Sequence, residues 1–105
     1  MNYRLDPDFV EKLKRLKKQN VRIHKAFWDS LAIFEKDEND PRLDNKQLTR
    51  ELKDYWRIVI SKDNKYAAMY RKIEDGDEVI TKFFHIGHKR YLYKRNEEKE
   101  RTTKE

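Results

Sequence analysis

The chain contains no cysteine, which excludes disulfide frameworks, thiol nucleophiles and thiolate metal sites. Only two glycines and two prolines occur in 105 residues, so glycine-rich phosphate-binding loops and flexible linkers are excluded as well. Serine is confined to Ser30 and Ser61, and neither sits in the glycine-flanked strand-to-helix turn that a serine nucleophile needs. No apolar run approaches the roughly 18 residues that cross a bilayer. The first stretch, MNYRLDPDFVEK, lacks the apolar core of a secretion signal. These absences predict a cytoplasmic protein with no membrane partner.

What is abundant is charge. Charged residues make up 44% of the chain, against 36% hydrophobic, with a formal net charge of +6. Such a balance borders on that of disordered chains, but the apolar residues are clustered and periodic, so the sequence reads as one folded domain with a charged skin. A domain of this size buries roughly two-thirds of its unfolded surface. The basic surplus points toward a polyanionic partner, nucleic acid foremost.

The periodicity changes halfway. MNYRL has the alternation of a short edge strand. DPDFVEKLKRLKK then predicts a helix: Asp6 caps it, Pro7 takes the first turn, and Phe9, Leu13 and Leu16 form one apolar stripe. A second helix, from about Val21 to Lys36, repeats the period with Ile23, Phe27, Leu31 and Phe34. The polar DENDPRLDNKQ reads as a loop. In YWRIVIS the period becomes two, with Trp56, Ile58 and Ile60 on one face and Arg57, Val59 and Ser61 on the other. YAAMYRKI and EVITKFFHI follow as strands, joined by an Asp75–Gly76 hairpin. The expected fold is α+β, ordered β-α-α-β-β-β, an antiparallel sheet with a helical hairpin on one face and the other face left open for binding.

The richest chemistry lies in FFHIGHKRYLYKR, Phe83 to Arg95, where aromatics, His85 and His88 alternate with Lys89, Arg90, Lys94 and Arg95 and no acid intervenes. A metal site needs three or four converging ligands. Here the histidines' neighbours are cations, so no metal and no cofactor is expected. Cations neutralise phosphates and flat rings stack on unpaired bases, a mixture suited to single-stranded RNA. The same residue types suffice to cut RNA without metal. One group takes the 2′-hydroxyl proton, cations stabilise the phosphate charge, and an acid protonates the leaving 5′-oxygen.

DPDFVEKLKRLKK, LDNKQLTRELKDYWRIVIS, AAMYRKIEDGDEVITKFFHIG and IGHKRYLY fall in an order that resembles the RelE/ParE superfamily, the toxins of type II toxin–antitoxin pairs. The resemblance covers about residues 1–95 and leaves 96–105 as a charged, flexible tail. Its most specific pieces are Leu-x-Asn-x-x-Leu at Leu43, Asn45 and Leu48, the YWRI that follows, and the closing Ile-Gly-x-x-x-x-Leu-Tyr.

The resemblance implies a small RelE-like fold. For the RelE/YafQ-like branch it implies a ribosome-dependent, metal-independent messenger endoribonuclease that inhibits translation and is neutralised by a cognate acidic antitoxin. Carried over by position, the catalytic set is Arg57, Lys89 and Tyr93, with His88 or His85 for proton transfer. RNA binding is assigned to Arg90, His85, Arg71, Lys94 and Arg95, and to Lys14, Lys17 and Lys18 of the first helix for ribosomal RNA. The sequence departs from the nucleolytic pattern at Val59 and Ala67, where basic residues are usual, at Lys46 in place of histidine, and at Lys89 in place of arginine or histidine. Those departures keep two alternatives open: a ParE-like inhibitor of DNA gyrase, and a catalytically degenerate binding module.

Overall fold

The structure, a computed structural model, describes residues 2–93. Lys94, Arg95 and the expected tail at 96–105 lie outside the described residues. Strand β1 is Tyr3–Leu5 and helix α1 is Pro7–Gln19. The Asp6 carboxylate accepts from the Asp8 amide at 3.1 Å, and Pro7 occupies the first turn, where no amide donor is missed. Asn20 both ends α1 and starts α2, Val21–Lys36. Its amide donates to the Leu16 carbonyl at 2.8 Å, and its side chain accepts from the Ile23 amide at 3.4 Å. A single residue therefore reverses the chain, and the two helices lie side by side.

Four more strands follow: β2 Lys46–Gln47, β3 Trp56–Val59, β4 Tyr66–Asp75 and β5 Glu78–His88. The sheet order is β1-β5-β4-β3-β2. All neighbours are antiparallel except β1 and β5, which run parallel with Leu5 opposite Phe83. The sheet is mostly antiparallel, as expected, with one parallel pair at β1, where the helical hairpin carries the chain across the layer before the meander begins. Strand β2 lies in the stretch expected to be loop. It pairs Lys46 with Arg57 and Gln47 with Trp56.

Both helices pack on one sheet face. Phe9, Leu13, Ile23, Phe27, Leu31 and Phe34 meet Ile58, Ala68, Tyr70, Phe83 and Ile86, all buried. The rings meet edge-on, Phe9 on Phe27 at 5.1 Å and Phe27 on Phe83 at 5.4 Å, an arrangement that matches ring edges to ring faces. No described helix is long and apolar enough to cross a membrane.

Tyr70 is the polar exception in this core. Its hydroxyl donates to Asn45 Oδ1 at 2.8 Å, and burial is the main reason its pKa is pushed up to about 12 from an ordinary 10.0. The phenol is thus neutral in the folded chain at pH values where the unfolded chain ionises. Its contribution is complete below pH 10 and disappears as pH rises toward 12, a loss of about 2–3 kcal/mol. Urea midpoints measured across that range should fall more steeply for the native chain than for Tyr70→Phe.

Candidate nucleic-acid interface

The sheet face away from the helices carries the residues of interest. Strand register sets Arg57, Met69 and His85 in one row across β3, β4 and β5, with Val59, Ala67 and Gly87 in the next. Lys46 stands beside Arg57 on β2. A bulge opposite Met69 and Tyr70 breaks the alternation of β5: Tyr70 faces Phe83, yet Met69 faces His85. Phe83 and Ile86 both reach the helix-side core, so Phe84 and His85 share the opposite face.

This face is not bare. After β5 the chain turns into a helical segment, residues 89–93, anchored by the Lys89 amide donating to the Lys65 carbonyl at 2.8 Å. Leu92 joins Leu52, Ala67 and Met69 in a second apolar cluster, against which Leu48, Tyr55 and Tyr93 pack. Sequence alternation predicts an open face, but it does not register a segment that folds back over it. Arg57 is consequently only 4% exposed. One Nη of Arg57 donates to the Asp44 carboxylate at 2.9 Å, while Nε and the other Nη have no hydrogen-bond partner among the described residues. A buried guanidinium with unused donors is costly to keep unless something offsets it.

Lys89 sits above. Its ammonium donates to Asn64 Oδ1 at 2.7 Å. Burial foremost, and the positive charges of Arg57 and Lys46, pull its pKa below the usual 10.5, with Asp44 opposing them. Tyr93 is half-buried. Desolvation pushes its phenol pKa above the usual 10.0, with Arg57 pulling the other way. At neutral pH the phenol therefore keeps its proton and is able to donate it. Arg57, Lys89 and Tyr93 share one electrostatic environment with Lys46 and Asp44.

The remaining candidates are distributed more widely. His85 is on the Arg57 face, its ring 5.6 Å from that of Tyr55. Arg71 is exposed on the same face, its guanidinium 5.7 Å from the Tyr55 ring and 5.9 Å from Phe84. His88 is not brought to Arg57. It pairs with Tyr66 on the helix-side face, and its Nδ1 accepts from the Arg90 amide at 3.1 Å. Arg90 is exposed beside the Tyr91 ring. Lys14, Lys17 and Lys18 lie on α1, across the sheet from Arg57. Among the described residues no group of three His, Cys, Asp or Glu converges to hold a metal.

Sequence reasoning missed Asp44 and Asn64, the two residues that orient Arg57 and Lys89. Both adopt left-handed backbone, φ 44° and 64°, a conformation that Asp and Asn tolerate better than most residues. Their types in LDN and KDNK announce turns, but not which distant cation each turn serves.

No protein-family model matches the sequence, and no curated protein matches it. Solved structures do. A YoeB/ParE toxin from Agrobacterium tumefaciens superposes with a TM-score of 0.65 at 12% identity, over 84% of this chain and 98% of that one. YafQ from E. coli strain BL21(DE3) gives 0.60 at 13%, over 85% and 93%. The YoeB–YefM complex from Staphylococcus aureus gives 0.57 at 16%, over 81% and 97%. The likeness is one of fold.

Proposed function

We propose that this chain, which has the fold of the YoeB, ParE and YafQ toxins, is the toxin of a toxin–antitoxin pair and cuts messenger RNA on the ribosome without metal. The observation that carries the reading is that residues 89–93 fold over the sheet face that bears buried Arg57 and His85, with Leu92 and Tyr93 packed beside Ala67 and Met69.

Lys89 makes the first contact with the scissile phosphate, since Arg57 lies beneath it and acts through its charge in a poorly solvated setting. His85, the histidine on that face, takes the proton of the 2′-hydroxyl. The 2′-oxygen then attacks phosphorus, and the bond to the 5′-oxygen breaks. The protonated Tyr93 phenol supplies a proton to that leaving oxygen, giving a 2′,3′-cyclic phosphate and a free 5′-hydroxyl. Arg71, Arg90 and the lysines of α1 contribute phosphate contacts over a wider footprint. An acidic antitoxin, by analogy with YefM in its complex with YoeB, neutralises the basic chain.

A second reading keeps the fold and changes the target to DNA gyrase. It is favoured by the ion pair that occupies Arg57 and by the apolar Val59–Ala67 pair where basic residues would strengthen a nuclease. Translating ribosomes mixed with the protein should yield messenger cut at the A-site codon, while gyrase supercoiling measured in parallel is unchanged. Intact messenger with inhibited supercoiling selects the second reading. If neither target is affected, a binding module remains.

A further inference from the structure

The strand register places a second row on the Arg57 face of the sheet. Arg71 of β4 stands opposite Lys82 of β5, and Lys82 stands opposite Arg4 of β1. Tyr55, one residue before β3, brings its ring to 5.7 Å from the Arg71 guanidinium. Phe84, displaced onto this face by the bulge, has its ring 5.9 Å from the same guanidinium. The two rings meet edge-on at 6.1 Å, so Arg71 packs over both at once. Both rings are half-buried, whereas Arg71 is exposed. The other cations of the row are already matched, Arg4 by Asp75 at 3.5 Å and Lys82 by Asp6 at 3.7 Å. Arg71 has no ion pair among the described residues.

We infer that Arg71, backed by Tyr55 and Phe84, is a stacking platform for an unpaired RNA base beside the Arg57 row. A solvent-facing strand position needs neither ring nor guanidinium for the sheet to form, since ordinary polar residues serve there. Two rings beneath one cation instead hold a flat group in a fixed orientation. A guanidinium is planar, and its outer plane stacks on a nucleobase as an aromatic ring does. Arg71 is two residues along β4 from Met69, so its row lies about 7 Å from that of Arg57, a step that neighbouring nucleotides of one strand span.

Cations elsewhere on the chain hold phosphates of any sequence, whereas a platform discriminates among bases by how strongly each one stacks. A purine, with its larger face, is the preferred occupant. The inference rests on the RNA part of the proposed function and gives Arg71 a base where that reading gives it only a phosphate.

The probe is a short 2′-O-methyl oligouridine carrying one 2-aminopurine. Without a free 2′-hydroxyl it is not cut, and 2-aminopurine loses fluorescence when its base stacks. Titration with the full chain at low salt should give saturable quenching. An oligonucleotide of equal charge with an abasic site in that position should bind about tenfold more weakly, the loss of one stack. Arg71→Lys keeps the charge and removes the plane, so quenching should be largely lost and affinity should fall about tenfold, with the salt dependence unchanged. Phe84→Leu, checked for folding by thermal melts, keeps the position apolar and should reduce quenching in the same direction. No quenching by the native chain, equal binding of the abasic oligonucleotide, or an unaltered response in either variant would each overturn the inference. Cut messenger without quenching removes the platform and leaves the nuclease standing; quenching with intact messenger does the reverse.

Discussion

Asp44→Ala is expected to lower stability by about 3 kcal/mol, whereas Arg57→Met should leave it unchanged or raise it by roughly 1–4 kcal/mol. The two halves of one ion pair differ this much because their surroundings differ. The Arg57 side chain is 5% exposed and that of Asp44 is 60% exposed. Removing the carboxylate strands a buried guanidinium that already has two nitrogens without a partner among the described residues. Removing the guanidinium returns an exposed carboxylate to water and leaves an apolar side chain of similar size against Met69. The figure for Asp44 is set at the low end for broken buried pairs, since water replaces part of an exposed partner. Asp44→Asn should cost less, because it keeps an acceptor and tolerates the left-handed backbone. Urea denaturation with unchanged slopes decides the matter. Equal losses for the two substitutions would show that packing, not the stranded cation, governs this pocket.

The second large effect concerns activity. Lys89→Ala and Arg57→Met should each reduce ribosome-dependent cleavage by about 10²–10³-fold, the usual loss when a group that stabilises transition-state charge is removed. For Arg57→Met this loss accompanies unchanged or increased stability, so misfolding does not account for it. The pH dependence follows from Lys89. Burial and the neighbouring cations make its ammonium give up a proton below the usual 10.5. Cleavage should therefore decline on the alkaline side as pH climbs through that lowered value. Lys89→Arg, which stays charged throughout, should move the decline to higher pH. Single-turnover rates against pH measure this. An unshifted alkaline limb would remove Lys89 from the reaction.

Much of the architecture is legible in the residues themselves. Asp6 and Pro7 begin α1, the three- and four-residue spacing of Phe9, Leu13 and Leu16 gives its buried face, and the hairpin expected at Asp75–Gly76 is present one residue on, with Asp75 closing β4 opposite Glu78 and Gly76, at φ 64°, and Asp77 making the turn. These features depend on neighbours in sequence. What was not legible depends on partners far along the chain. A strand as short as Lys46–Gln47 has no period to detect. The Arg57–Asp44 pair and the Lys89–Asn64 bond join residues 13 and 25 positions apart. The placement of His88 follows from the irregularity in β5, which cannot be inferred from β5 alone because it is defined by the opposing strand.

That extra residue between Phe83 and Ile86 also decides which side of the sheet the end of β5 presents. If the same residues ran in strict alternation, every position from His85 onward would be inverted, with His85 among the phenylalanines and Ile86 and His88 turned away from the helices. A one-residue deletion at Phe84 or His85 would remove the bulge and still leave Ile86 and His88 on the helix side, so the facing of the strand end depends on the bulge and the residue count together.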